Sequence, residues 1–442
     1  MASTEVSILN RITGAVIFYD TYADARTAAG NSSTDSNLIQ IWANLNEQIL
    51  LKDKVDIWIA PGRVLNVTTA KETILDNDGI YTDPVVCKIY GSGIIKNSYS
   101  GSSPNTRYEC IKIVNSKSKV SIECDYVEGL GKEGATVGGA TISVSSSPQF
   151  SLKCNKIISH YNSAVVIAGC DDLTIFCNSI ESGTATGYNG GTSVMSISAS
   201  GVLKAQELLC YGHGTCLKYI AGQLNASIKK IKTINSGTTS NPTILLDDGG
   251  TQELILYFDS IENLNSIGGD AVKVTEGKAI LIGSIIYSYK GYSLYLNSDA
   301  EIFCNKIKSD TKGVLIQNSS TQRIFIDSNF IEGSVGASGA VEIADSSNVI
   351  IKNARIKNIS SSSSSIGMYI NPGNGNPTIE LDNWIIVTGN LTWGESVYVL
   401  TGSEPATYIK NLGLFVNKAV VGAEILIGTE TNFKVITNSQ IS

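Results

Sequence analysis

Two pairs of adjacent carboxylates and two histidines are the residues of this 442-residue chain best suited to moving protons. Asp171-Asp172 and Asp247-Asp248 each set two acids side by side, which can supply a general acid and a general base to a substrate lying across them. Adjacent acids are also ordinary turn chemistry, because a short carboxylate bonds to nearby backbone amides. Asp247-Asp248 sits in such a place, between Ile244-Leu245-Leu246 and Gly249-Gly250. His213 lies between glycines, and His160, in His160-Tyr161-Asn162, has no evident partner in sequence. The catalytic candidates are therefore Asp171, Asp172, Asp247, Asp248 and His213. A second kind of chemistry is recognition. Tyr287, Tyr289, Tyr292 and Tyr295 form the densest aromatic group, and exposed Tyr rings stack on apolar sugar faces while their hydroxyls hydrogen-bond. Tyr287, Tyr289 and Tyr292 are the candidate glycan contacts, although strand alternation directs some of these rings into the core. No carboxylates converge with a basic residue as a calcium-dependent reaction needs, and no Cys/His spacing fits zinc. No metal or cofactor is expected.

The elements that must position these residues are β-strands. Ile, Val and Leu dominate a 42% hydrophobic content, Gly reaches 42 copies and Pro only 8, a composition rich in strands and turns. The net charge of −7, with no Lys/Arg block, disfavours nucleic acid or an anionic membrane as partner. No apolar run is long enough to span a bilayer, and Met1-Ala2-Ser3-Thr4-Glu5 lacks the pattern of a signal peptide. Nine cysteines, an odd number lying mostly within strand patterns, read as reduced thiols packed as small hydrophobes.

From about residue 109 one pattern recurs every 21 to 31 residues. A small residue leads an alternating strand, as in Thr141-Ile142-Ser143-Val144, Ala164-Val165-Val166-Ile167, Ala271-Val272-Lys273-Val274 and Ala340-Val341-Glu342-Ile343. After a polar turn come two further strands joined at a corner, as in Leu152-Lys153-Cys154-Asn155-Lys156-Ile157 and Ile302-Phe303-Cys304-Asn305-Lys306-Ile307. Ile175 to Ile180 and Ile122 to Val127 repeat the unit. Alternation demands one buried face, and a repeat this short can bury it only by stacking on its neighbours. The sequence therefore predicts an all-β fold, a single-stranded right-handed parallel β-helix of about 12 to 13 coils. Asp125, Asn155, Asn178 and Asn305 occupy the corners, where a left-handed backbone is expected, with Cys124, Cys154, Cys177 and Cys304 just inside.

The corner residues resemble the asparagine ladder of pectate lyases. Asp20 to Ala25, followed by Leu38-Ile39-Gln40-Ile41-Trp42 and Val55 to Gly62, resembles the opening of pectin-lyase-like β-helices. That likeness implies a short helix capping the first coil. The expected organisation is an N-terminal arm over 1–19, serving virion attachment, a cap with the first coils over 20–108, and the β-helix over 109–442.

This family hosts lyases, polygalacturonases, phage tailspike glycosidases and structural spikes, so the fold alone leaves function open. Asp171-Asp172, Gly212-His213-Gly214 and Arg355-Ile356-Lys357 resemble three polygalacturonase motifs, while the Asn-Thr-Asp motif is missing. Coils rise roughly 4.8 Å each, and glycosidase carboxyls stand roughly 5 to 10 Å apart. Arg355 falls five coils beyond His213, about 24 Å along the axis, and the two acid pairs are three coils apart, about 14 Å. On this reading the motifs do not converge. A virion protein folds in the host cytoplasm, which reconciles such a fold with reduced cysteines and no signal peptide. The resemblance to phage tail and head spikes implies a homotrimeric virion structural protein that attaches to host surface polysaccharide and to other virion proteins through its arm. Three alternatives remain open: a polysaccharide depolymerase on the same scaffold, a cellular carbohydrate-active enzyme or adhesin, and a purely structural spike without ligand.

Overall fold

The computed structural model describes residues 5–30, 37–76, 83–99, 108–130, 140–161, 163–183, 193–211, 214–234, 240–247, 252–317, 322–334, 339–344, 348–360, 366–371, 378–387, 395–399 and 412–414. The fold is all-β, 63% strand and 2% helix, with long parallel strand stacking compatible with a parallel β-helix. Two compact units divide the chain, Met1–Ile228 and Lys229–Ser442. No described helix is long and apolar enough to cross a membrane.

The first unit opens on an antiparallel hairpin, Val6–Asn10 with Val16–Tyr19, whose first strand also pairs antiparallel with Asn37–Ile41. Val6 and Ile8 are buried there, while Ile12, Val16, Ile17 and Phe18 are exposed. Helix Tyr22–Ala28 follows. Thr21 caps its N-terminus by accepting a hydrogen bond from the Asp24 amide at 3.1 Å, as a hydroxyl in that position does. The buried Tyr22 donates its hydroxyl to the Leu50 carbonyl at 2.9 Å, and Arg26 donates to the Leu50 and Leu51 carbonyls. Strands Asn37–Ile41 and Asp56–Ile59 coincide with the two apolar segments singled out in the sequence, with the two-residue strand Ile49–Leu50 between them.

From Asn37–Ile41 onward the strand pairing is parallel, and the alternating apolar residues fall into register. Ile39, Ile57, Ile89, Ile122, Leu152, Ile175 and Leu203 align strand to strand as one buried row. Ile49, Ile74, Ile111, Ile142, Val165, Met195 and Leu217 form a second. Leu65, Ile95, Val127, Ile157, Ile180 and Leu208 form a third. Three rows mean three strand segments per repeat, each turning alternate residues inward. Each such aliphatic side chain removed from water contributes roughly 1.5 to 3 kcal/mol, which is what holds successive repeats together. The second unit repeats the pattern with Leu256, Leu281, Ile302, Ile326 and Ile351 in one of its rows.

Two features of the strands differ from the sequence expectation. The second and third strands of a repeat run on as one bent element, for example Gln149–Ser159 and Asp299–Ser309. The corner backbone is also not left-handed at Asp125, Asn155, Asn178 or Asn305, while Asn353, in the repeat after Asn329, has a positive φ of 61°. Asparagine serves these corners through its side chain instead. Asn178 Nδ2 donates to Asn155 Oδ1 at 2.6 Å and Asn329 Nδ2 to Asn305 Oδ1 at 2.8 Å. Glycine is required at Gly201, whose φ of 147° belongs to the region L residues avoid and where a Cβ would stand 2.0 Å from the Leu173 carbonyl oxygen.

Candidate functional site

The acidic candidates are spread among separate hydrogen-bonding roles. Asp171 and Asp172 are exposed, at an irregularity of register between Cys170 and Leu173. Asp172 Oδ2 accepts from Gln149 Nε2 at 3.0 Å, so one acid of the pair bonds to the preceding repeat. Asp247 Oδ1 accepts from the Thr275 hydroxyl at 3.0 Å. Asp248 and His213 lie outside the described residues. Among the described residues no group of three or more His, Cys, Asp or Glu side chains is placed to hold a metal ion.

His160 does have a partner, contrary to the sequence expectation. Its Nε2 lies 3.0 Å from Glu128 Oε1, and Lys96 reaches Glu128 Oε2 at 3.1 Å. Burial would push the Glu128 carboxyl up, but the hydrogen bonds and charges of His160 and Lys96 hold it below its ordinary value. The aligned strands Ile94–Asn97 and Tyr126–Gly129 bring Lys96 beside Glu128, a pairing that depends on register and is invisible in local sequence.

All nine cysteines are buried free thiols. Cys154 and Cys177 occupy facing positions on paired strands with their Sγ atoms 3.5 Å apart. Cys304 is set between Gly283 and Ser328 in the second unit. Burial pushes the Cys87, Cys110 and Cys124 thiols up, which suppresses the thiolate and with it metal binding and nucleophilicity.

The tyrosines form the chemically richest surface. None of Tyr287, Tyr289, Tyr292 and Tyr295 enters the core; Tyr289 is exposed and the other three are half-buried. Alternation explains this, since Leu294 and Leu296 point inward and Tyr295 between them points out. Each ring lies beneath a lysine ammonium. Lys308 is 5.9 Å from the Tyr287 ring centre, Lys290 5.7 Å from Tyr289, Lys312 4.7 Å from Tyr292 and Lys273 5.1 Å from Tyr295. A cation over a ring in partial solvent is worth roughly 0.5 to 1 kcal/mol, enough to bias the rotamers of both side chains toward this arrangement. Tyr292 and Tyr295 meet edge to face at 6.1 Å. Tyr287 donates its hydroxyl to Asp310 at 2.6 Å, and Lys308 bridges Asp310 and Glu332 at 3.2 and 3.3 Å.

Two further carboxylates complete this surface. Asp270 accepts the Tyr292 amide at 2.9 Å. Burial raises its pKa, against the lowering effects of that hydrogen bond and of Lys273 and Lys312. Burial likewise raises Glu342, against the pull of Lys312. Asp270 lies two residues before strand Val272–Val274, whose Lys273 pairs with Tyr295, and Glu342 lies in Val341–Ala344, three strand spacings further on. That is roughly 14 Å, beyond the roughly 5 to 10 Å of a glycosidase carboxyl pair. The geometry offers rings, hydroxyls, ammonium groups and carboxylates to a polyhydroxylated ligand; the two carboxylates that do converge, Asp310 and Glu332, share the Lys308 ammonium between them. Lys273, Lys308 and Lys312 were missed in the sequence because each lies one repeat away from its ring; Lys290 directly follows Tyr289. Asn329 was missed because Ser328 stands there in place of the cysteine found at the corners of Asp125, Asn155, Asn178 and Asn305.

No protein-family model matches the chain, and neither does any curated protein or solved structure.

Proposed function

We propose that the chain is a right-handed parallel β-helix of pectin-lyase-like type, with helix Tyr22–Ala28 at its N-terminal cap, that serves as a homotrimeric phage spike or fibre and binds host surface glycans. Three aligned interior rows, recurring repeat after repeat, support the β-helix. The observation that carries the binding role is the tyrosine surface, four outward rings each held under a lysine. Ordered rings lose little side-chain entropy on binding, and their hydroxyls and the adjacent Asp270 and Glu342 bond to sugar hydroxyls. Binding is favoured over cleavage because Asp270 and Glu342 stand too far apart to share one glycosidic bond, and the closer pair, Asp310 and Glu332, is tied up by the Lys308 ammonium and the Tyr287 hydroxyl.

The test is to incubate the purified protein with the surface polysaccharide of the host, measuring retention together with new reducing or unsaturated ends. Retention without new ends is expected. New ends would replace this reading with a depolymerase, and the absence of retention would leave a structural spike.

A further inference from the structure

The solvent-facing side of one sheet in the second unit breaks the alternation that governs the rest of the chain. In strands Glu253–Asn263, Lys278–Ser288, Asp299–Ser309, Arg323–Gly333 and Asn348–Asn358 the inward residues are apolar as expected, but so are many outward ones. Ile255, Ile280, Glu301, Phe325 and Ile350 align as one outward row. Tyr257, Ile282 and Phe303 lie beside them in the next. Tyr257 is 50% exposed and Phe303 37%, and Phe303 meets Phe325 ring to ring at 5.4 Å. The corresponding outward positions of the first unit are more polar: Ser121 and Glu123, Ser151 and Lys153, and Asn225 and Ser227 are polar in both rows, while Trp58, Tyr90, Phe176 and Val202 each stand beside a polar residue, Asp56, Lys88, Thr174 and Lys204. A contiguous apolar patch rimmed by charge is the mark of an interface, since water otherwise covers it at a free-energy cost.

We infer that this face packs against other copies of the same chain, about a symmetry axis parallel to the direction in which the strands stack. The charges select that occupant. Such an axis brings strands of equal height together and exchanges the two outer rows, so that the middle row of Ile255, Ile280, Phe325 and Ile350 meets itself. Arg323 of one copy then faces Asp327 of the other, while Lys278 faces Ile282 and Asp299 faces Phe303. The one like-charge encounter, Glu301 with its counterpart, is neutralised within each copy by Lys278 at 3.4 Å, which also reaches Glu253 at 3.6 Å. Five strands about 4.8 Å apart and outward positions about 6.8 Å apart make a flat footprint on the order of 20 by 14 Å. Lys278, Asp299, Arg323 and Glu301 lie within that footprint, which makes up about a third of an interface of roughly 800 Å² per partner. The inference deepens the oligomeric part of the function proposed above and rests on it, adding the face through which the copies meet.

The experiment is sedimentation of the full chain over a concentration series, beside Ile280→Thr/Ile282→Thr and Phe325→Thr, substitutions that strands accept. The wild type is expected to sediment as an oligomer and the variants to dissociate about tenfold or more readily, for the loss of one or more buried large side chains. Unchanged circular dichroism and thermal midpoint identify the effect as one of association. A monomeric wild type would overturn the oligomeric reading itself, whereas an oligomer unaffected by the substitutions would overturn only this face. A second variant, Ile280→Cys treated with a short bis-maleimide, is expected to give a covalent dimer, the native thiols all being buried. Only single chains on the gel would contradict the meeting of equal heights.

Discussion

Glu128 is the residue at which local chemistry is most sharply defined, because a lysine and a histidine from neighbouring strands converge on it. Its carboxyl is held below its ordinary value of 4.5, so its stabilising contribution is present above that value and lost as pH falls through the lower native one. Glu128→Gln is expected to lower stability at pH 7 by about 1 kcal/mol, with the difference from wild type shrinking as pH falls below 4.5 in urea titrations at several pH values. A constant difference across that range would refute the charge-based account. Gly201→Ala tests backbone geometry, and an added Cβ against the Leu173 carbonyl is expected to cost about 2 to 4 kcal/mol. At this scale the sequence was a partial guide. It marked the corner asparagines and the outward tyrosines, whose types declare their chemistry. It hid the partner of His160 and three of the four lysines over the rings, Lys273, Lys308 and Lys312, because turns of unequal length decide which residue of one repeat lies beside which of the next.

Among elements, the inward and outward positions of a single strand make opposite predictions. Ile175 lies fully buried in a row between Leu152 and Leu203, and Ile175→Ala is expected to destabilise by about 3 to 4 kcal/mol through lost burial and a residual cavity. Thr174→Ala, one position earlier and outward, is expected to change stability by less than about 0.5 kcal/mol. Comparable losses at both positions, read from denaturant midpoints, would mean that the strand is not oriented as described. The strands were largely legible in sequence because period-two alternation is a direct consequence of one buried face. The corner was misread in its backbone, because the stacking of asparagine side chains, rather than a left-handed turn, accounts for the residue type. The apolar outward face of the second unit was read only as ordinary strand, since a run such as Leu254-Ile255-Leu256-Tyr257-Phe258 has no period to show which side faces water.

For the whole molecule, fold and function separate. A stack of parallel strands accommodates enzymes and inert spikes alike, so the function rests on side chains that the stack displays. Tyr292 and Tyr295 are the two rings in direct contact, ordered by Lys312 and Lys273, and they bear most of the weight of the glycan-binding reading. The most direct measurement is the affinity of the full chain for host surface polysaccharide, compared between wild type and Tyr292→Ala/Tyr295→Ala, with thermal melting to verify that both are folded. Loss of two stacking rings is expected to weaken binding by at least about tenfold with little change in melting. Undiminished binding by a folded double variant would contradict the account.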